Sequence, residues 1–253
     1  MPIIFITGST AGFGKAIAIK FAEHGYDIII NGRRTEELKK LEDEIKNTFG
    51  VKVFSLPFDV RDRNAVEASI HNLPHDWKNI DVLVNNAGLA QGLSTIQEGD
   101  IDDWEVMIDT NIKGLLYVSR AIMPLMIANK KGHIINLSSI AGKEAYMKGN
   151  IYCSTKFAVD ALTKSMRIDL LEHKIRVTSI SPGAAETEFS IVRFKGDAER
   201  AKKTYSGYEP LKAEDIAEVV YFAASRPAHV CLNDIVMTPT AQANTSYILK
   251  KPV

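Results

Sequence analysis

Tyr152 and Lys156 stand four residues apart in the run Tyr152-Cys153-Ser154-Thr155-Lys156. On an α-helix that spacing puts two side chains on one face, so a phenol and an ammonium can reach a common point. A phenol titrates near pH ~10 in water, too high for proton transfer at neutral pH. A cation held close favours the phenolate and lowers that value, so the pair is a candidate general acid/base. Alone it would read as a half-buried tyrosine beside a lysine that snorkels to water. The surrounding chain turns the reading toward catalysis.

Ile3 to Ile6 predicts a buried strand ending in Thr7-Gly8-Ser9-Thr10-Ala11-Gly12-Phe13-Gly14, with an amphipathic helix from Lys15 to Glu23 behind it. Strand, glycine turn and helix together form the context of a dinucleotide site. Glycines let backbone N–H groups approach a pyrophosphate at the positive end of the helix. The next strand, Asp27 to Asn31, ends in Asn31-Gly32-Arg33-Arg34. A carboxylate at this place accepts from the ribose 2′-OH of NAD, and the chain has none. The forks of Arg33 and Arg34 suit a 2′-phosphate, which points to NADP. Basic residues at a helix start oppose the macrodipole, another sign that they face an anion. Thr35 is expected to cap the following helix, with Glu36 and Glu37 in its first turn.

A third strand is expected over Val51 to Leu56, closed by Asp59-Val60, whose carboxylate would lie along the ligand crevice of an α/β sheet. Arg61 to Leu73 is helical by period. Val82 to Val84 forms a fourth strand ending in Asn85-Asn86-Ala87-Gly88. A long helical pattern runs from Asp102 to about Asn129, with Gly114 and Pro124 as internal breakers and a bend expected near Asn111. His133 to Leu137 is the fifth strand, followed by Ser138-Ser139, and Tyr152 to His173 is the helix that bears the candidate pair. Arg176 to Ile180 is the sixth strand, leading into Ser181-Pro182-Gly183. The irregular, charged stretch from Ala184 to Gly207 reads as a binding loop or lid of about residues 184–210. Lys212 to Ser225 returns to helix, Asp234 to Met237 is a last short strand, and the tail to Val253 lacks a pattern. Strands and helices alternate throughout, which predicts one α/β domain over residues 1–253, a doubly wound Rossmann-type parallel sheet flanked by helices.

Composition narrows the function classes. At 253 residues, 45% hydrophobic and 25% charged, the chain has the size and make-up of a soluble globular protein. Lys+Arg and Asp+Glu are equal at 31 each, so no basic field invites nucleic acid or an anionic membrane. No apolar run approaches a membrane span, and the apolar start is too short for a signal peptide. Two cysteines, Cys153 and Cys231, fit a reducing compartment, and a cytoplasmic location is expected. The six histidines lack ligand spacing, so no metal site is expected.

The glycine turn, Asn85-Asn86-Ala87-Gly88, Asn111, Ser139, the Tyr152/Lys156 pair and Pro182-Gly183 together resemble the short-chain dehydrogenase/reductase family, in its order and over essentially the whole chain. The resemblance implies that Tyr152 is the acid/base, that Lys156 lowers its pKa and holds the nicotinamide ribose, and that Ser139 bonds the substrate oxygen. It implies that Asn111 bends its helix and holds a water linked to Lys156. It places Gly8 to Gly14 on the pyrophosphate, Asp59 and Val60 on the adenine, Asn86, Ala87 and Gly88 by the adenosine ribose, and Pro182 to about Ser190, with Thr187, at the nicotinamide. A homotetramer through the long helices ending near Asn129 and His173 is implied by the family alone.

Within the family, Thr10 to Gly14, Asn31 to Arg34, Met107 to Asn111, Thr187 to Ser190, Val192 to Asp197 and Pro227 to Val230 resemble the NADP-dependent 3-hydroxy acid dehydrogenases. Those act on serine, L-allo-threonine and 3-hydroxyisobutyrate and reduce malonic semialdehyde. Such a substrate needs a carboxylate anchor, for which Arg193, Lys195 and Lys148 are the candidates. The alternative within enzymes is an NADPH-dependent reductase of 3-oxoacyl thioesters or of another ketone or aldehyde. Outside enzymes, an NADP(H)-binding sensor would have no reason to keep Asn111, Ser139, Tyr152 and Lys156 together.

Overall fold

Alternation sets the sheet. In β1 (Ile3–Ile6), Ile4 and Ile6 join one apolar cluster while Ile3 and Phe5 join another, because successive strand residues face opposite sides. A sheet with both faces apolar must be covered on both. The computed structural model describes residues 1–251, and Pro252 and Val253 at the end of the tail lie outside the described residues. Among the described residues, seven strands form one parallel sheet: β1, β2 (Asp27–Gly32), β3 (Val53–Pro57), β4 (Ile80–Asn85), β5 (His133–Leu137), β6 (Arg176–Pro182) and β7 (Asp234–Met237). Their order is β3-β2-β1-β4-β5-β6-β7, and each neighbouring pair is parallel. The order reverses between β1 and β4, the switch point at which such sheets bind ligands.

One face is covered by α1 (Gly12–Glu23), α2 (Thr35–Phe49) and α9 (Ala213–Ala224), whose Ile17, Phe21, Leu41, Ile45 and Val220 pack on Ile4, Ile28 and Val84. The other is covered by α3 (Arg63–His71), α5 (Leu115–Ala128) and α6 (Asn150–Asp169), with Val66, Ile122, Val159 and Met166 against Phe5, Ile29 and Ile134. Fully burying such an isoleucine or phenylalanine contributes about 1.5–3 kcal/mol. Among the described residues, no helix is long and apolar enough to cross a membrane.

Several boundaries differ from the sequence expectations. Thr35 is the first residue of α2 and Arg34 takes the cap position with no side-chain cap bond, so Thr35 is not the cap. The helix behind the glycine turn begins at Gly12, three residues before Lys15, since the turn itself winds into α1. Residues 184–207 are not irregular throughout: they contain α7 (Phe189–Arg193) and α8 (Ala198–Thr204), the latter capped by Asp197, which accepts from Arg200 N at 2.9 Å. The expected bend near Asn111 is a π-helical turn, Asp109–Gly114, joining α4 (Ile101–Ile108) to α5, and α5 tolerates Pro124 in its interior.

Candidate active site

The turn after β1 needs its glycines. Gly8 and Gly12 have φ of +67° and +51°, the left-handed region that side chains disfavour. A Cβ on Gly14 would run into the Gly8 carbonyl oxygen and stand 2.6 Å from Asn86 Nδ2. That amide, at the end of β4, donates to the Thr7 and Gly8 carbonyls at 2.9 and 3.0 Å. Thr7 Oγ1 in return accepts from Asn86 N and Ala87 N, both at 3.0 Å. The two turns at the switch point are thus one unit. Ser9, expected among the cofactor contacts, belongs to this frame by its side chain: it is buried, donates to the Ile6 carbonyl and accepts from Asn31 N.

Beyond β2, Arg34 donates to Thr10 Oγ1 through Nε and Nη2 at 3.2 and 2.9 Å, and Nη2 also reaches Glu188 Oε2 at 3.2 Å. Arg33 is exposed, 3.8 Å from Asp59. Asp59 itself is held by Arg61 at 2.6 Å. Burial alone would raise its pKa, but the hydrogen bonds from Arg61 hold it below the usual carboxylate range. Val60 is buried against Gly114.

A cleft of about 410 Å³ opens at the carboxyl ends of the strands, lined among others by Gly8, Gly12, Ala87, Ser139, Tyr152 and Lys156. Pro182, Gly183 and Thr187 form its far wall. Tyr152 and Lys156 are both buried on α6. The Lys156 ammonium donates to the Leu137 carbonyl at 2.8 Å and lies 5.9 Å from the centroid of the Tyr152 ring. Burial lowers Lys156 to about 8. Burial also pushes the Tyr152 phenol well above its usual value, and Tyr146 adds to that, while Ser139 and the Arg193 guanidinium pull it down. Arg193, 5.7 Å from the ring centroid, is thus a cation beside the phenol in addition to the expected Lys156.

Ser139 follows β5, accepts from Ala141 N at 3.1 Å and donates to the Pro182 carbonyl at 3.4 Å. Ser138 is buried and donates to the Lys156 carbonyl, so it stabilises α6 from behind. Asn111 sits in the π-turn with both ends of its amide engaged: Oδ1 accepts from Leu89 N at 2.8 Å, and Nδ2 donates to the Leu89 carbonyl and to Thr155 Oγ1 at 2.8 and 3.0 Å. Gly88 packs close beside it: a Cβ there would stand 3.2 Å from Asn111 Oδ1 and 3.5 Å from Lys156 Nζ.

Of the three anchor candidates, Arg193 lines the cleft beside Tyr152. Its Nη2 donates to Tyr146 Oη at 2.8 Å. Lys195 instead pairs with Asp103 at 2.9 Å and Asp100 at 3.3 Å, which fastens the α7–α8 link to α4. Lys148 is exposed at φ +66° and borders a cavity of about 20 Å³ next to Tyr152. Sequence reasoning missed Tyr146 and Gln242, and it set Glu188 in the nicotinamide stretch without foreseeing its contact with Arg34. Gln242 Oε1 accepts from Ala184 N at 2.7 Å, closing the tail onto the loop after β6. Only Tyr146 gave a signal, as an aromatic six residues before Tyr152.

The donor set fits a phosphorylated dinucleotide: a glycine cradle that Cβ atoms would fill, a helix start behind it, and two exposed arginines at the end of β2. Comparison with known proteins points the same way. The short chain dehydrogenase family model matches residues 2–197. The chain is 48% identical over 242 residues to the NADP-dependent 3-hydroxy acid dehydrogenase of Salmonella typhi, covering 95% of this chain and 96% of that one. It is 45% identical to the protein of the same description from Escherichia coli K12, at the same length and coverage. Among solved structures, the closed form of serine dehydrogenase complexed with NADP+ aligns with a TM-score of 0.93 at 43% identity, over 99% of this chain and 100% of that one.

Proposed function

The chain belongs to the short-chain dehydrogenase family, and from that premise we propose that it is an NADP-dependent oxidoreductase interconverting a small 3-hydroxy acid and its oxo form. Serine, L-allo-threonine, 3-hydroxyisobutyrate and malonic semialdehyde are the substrate class. The observation that carries the substrate reading is the Arg193 guanidinium in the same cleft as Tyr152 and Ser139. A carboxylate two carbons from the reacting carbon needs a cation at that range, and an arginine fork binds it bidentately.

NADP, when bound, supplies or accepts the hydride. The glycine turn from Gly8 to Gly14 holds its pyrophosphate, Arg33 and Arg34 its 2′-phosphate, and Asn86 to Gly88 with Pro182, Gly183 and Thr187 line its path. Asp59 and Val60 stand at the adenine end. Ser139 and Tyr152 grip the substrate oxygen, where charge builds as the carbonyl is reduced. Tyr152 gives its proton to that oxygen in reduction and takes it back in oxidation. Lys156 keeps a positive charge below the reacting centre, and Asn111 fixes Thr155 and the Leu89 segment around it. Residues 184–210 form the substrate loop. A cytoplasmic homotetramer completes the reading; the exposed Leu116 on α5 and Phe157 on α6 support assembly through those helices.

The test is NADP+ reduction followed at 340 nm with L-serine, L-allo-threonine, 3-hydroxyisobutyrate, 3-hydroxybutyrate and an uncharged secondary alcohol, with NAD+ run beside it. A much higher kcat/KM for the small hydroxy acids than for the uncharged alcohol, with NADP+ preferred over NAD+, is expected. Preference for the uncharged alcohol would remove the carboxylate anchor and keep the oxidoreductase.

A further inference from the structure

Arg193 has more to do than an anchor requires. Its guanidinium lies 5.7 Å from the Tyr152 ring centroid and 5.5 Å from that of Tyr146. Two further bonds fix it there: Nη2 donates to Tyr146 Oη at 2.8 Å and Nε to the Gly92 carbonyl at 3.4 Å. Its own carbonyl accepts from Gly92 N at 3.1 Å, so backbone and side chain are held together. An anchor free to follow its substrate would not be braced in this way.

The charged and titratable groups around the Tyr152 ring are few. Tyr146 comes from the segment before α6, Cys153 and Lys156 from α6 itself, and Arg193 from α7. Lys148, Asp100 and Asp103 border the small cavity that reaches the ring, and both aspartates are paired with Lys195. Lys156 spends a hydrogen bond on the Leu137 carbonyl. Arg193 is thus the cation on the substrate side of the phenol, and an anionic substrate group is the one thing that would offset it.

We propose that Arg193, aimed by Tyr146, serves Tyr152 as a second cation, and that the carboxylate of a bound hydroxy acid neutralises it, tying the ionisation of Tyr152 to the charge of the substrate. This rests on the reading of Arg193 as the carboxylate anchor. With an uncharged alcohol the guanidinium keeps its full effect on the phenol, so oxidation sets in at lower pH. With a hydroxy acid the charge is shared and the phenol holds its proton to higher pH. Tyr146 is a positioning residue: it touches Arg193, and its effect passes through it.

The experiment is the rate of the first turnover, read by stopped flow at 340 nm with saturating NADP+ across pH. It compares 3-hydroxyisobutyrate with 2-butanol in wild type, Arg193→Gln and Tyr146→Phe. In wild type the ionisation limb for the hydroxy acid should lie about one pH unit above that for the alcohol, as expected for one charge at this range. In Arg193→Gln the alcohol limb should rise to the position that the hydroxy-acid limb has in wild type. Tyr146→Phe, which keeps the ring and removes only the hydroxyl, should fall between. Coincident limbs in wild type, or an alcohol limb that stays put in Arg193→Gln, overturn the proposal. KM separates the two ways of failing. If Arg193→Gln raises KM for the hydroxy acid alone while the wild-type limbs coincide, the anchor stands and the coupling falls. If KM moves equally for both substrates, the anchor falls with it.

Discussion

Arg34 offers the sharpest test of coenzyme choice, because its present partners are known. Two of its donors are committed to Thr10 Oγ1, and Nη2 is shared with Glu188. A 2′-phosphate would therefore meet a guanidinium already oriented by one neighbour and partly neutralised by another. Hydrogen bonds to a charged group are worth about 1.5–3 kcal/mol. The Arg34 side chain is 49% exposed, so solvent screening favours the lower end. Arg34→Ala should then raise KM for NADP+ about 10-fold and leave KM for NAD+ within about two-fold. Glu188→Gln acts in the opposite direction. An exposed ion pair is worth about 0.2–1 kcal/mol, so removing the competing carboxylate should lower KM for NADP+ about 1.5- to 5-fold. Thr10→Ala, which takes away only the brace, should weaken NADP+ by less than Arg34→Ala. Steady-state KM for each coenzyme at saturating alcohol substrate measures all three. Equal effects of Arg34→Ala on NADP+ and NAD+, or a Glu188→Gln enzyme with unchanged KM for NADP+, would refute the placement of the phosphate at Arg34.

Replacing Tyr152 by Phe should cut the first-turnover rate about 10²- to 10⁴-fold, the usual share of a general acid, while coenzyme binding measured by fluorescence stays near wild type. Lys156→Met should trade activity for stability. Burial lowers the ammonium to about 8, so the folded state carries a cost that is full below pH 8 and fades as pH rises toward ~10.5. Urea unfolding at pH 7 should find the variant about 1–3 kcal/mol more stable despite the lost bond to Leu137, and a less stable variant would contradict the cost. His133 is buried in β5 with Nε2 2.7 Å from Thr178 Oγ1, and burial, helped by Arg176, lowers it to about 3. The unfolded imidazole takes up a proton near pH ~6.5 that the folded one refuses. Stability is therefore complete above that pH and should fall by about 2 kcal/mol between pH 7.5 and 5. In His133→Asn that portion of the slope should vanish from urea titrations.

The parts of the fold legible in the sequence were those with local punctuation. β5 and β7 run over the predicted residues, and β1 ends where its glycine turn begins. The pair on α6 could be placed together because a helix converts spacing into proximity. Turns and short helices hide their geometry. Ser9 sits amid the glycine motif, yet its hydroxyl is used inside the turn, since side-chain direction in an irregular turn has no period. α7 and α8 are too short, at 5 and 7 residues, for an apolar repeat to show. The contacts that give Arg193 its place are non-local, 47 residues from Tyr146 and 101 from Gly92. Nothing in either segment announces the other. Lys195 and Arg193, two residues apart on one loop, looked equivalent until the fold sent one to Asp103 and the other to Tyr152.

The π-turn at Asp109–Gly114 has a genetic meaning as well as a geometric one. A π-turn is an α-helix carrying one residue too many, so deleting a single codon there could restore an unbroken helix from Ile101 to Ala128. Each residue of an α-helix turns the chain through about 100°. The wider π-turn absorbs the extra residue, so the deletion would leave α4, with its Asp103 latch to Lys195, in register with α5 and would instead drag Asn111 away from Leu89 and Thr155. The shorter gene would encode the more regular helix and the poorer enzyme.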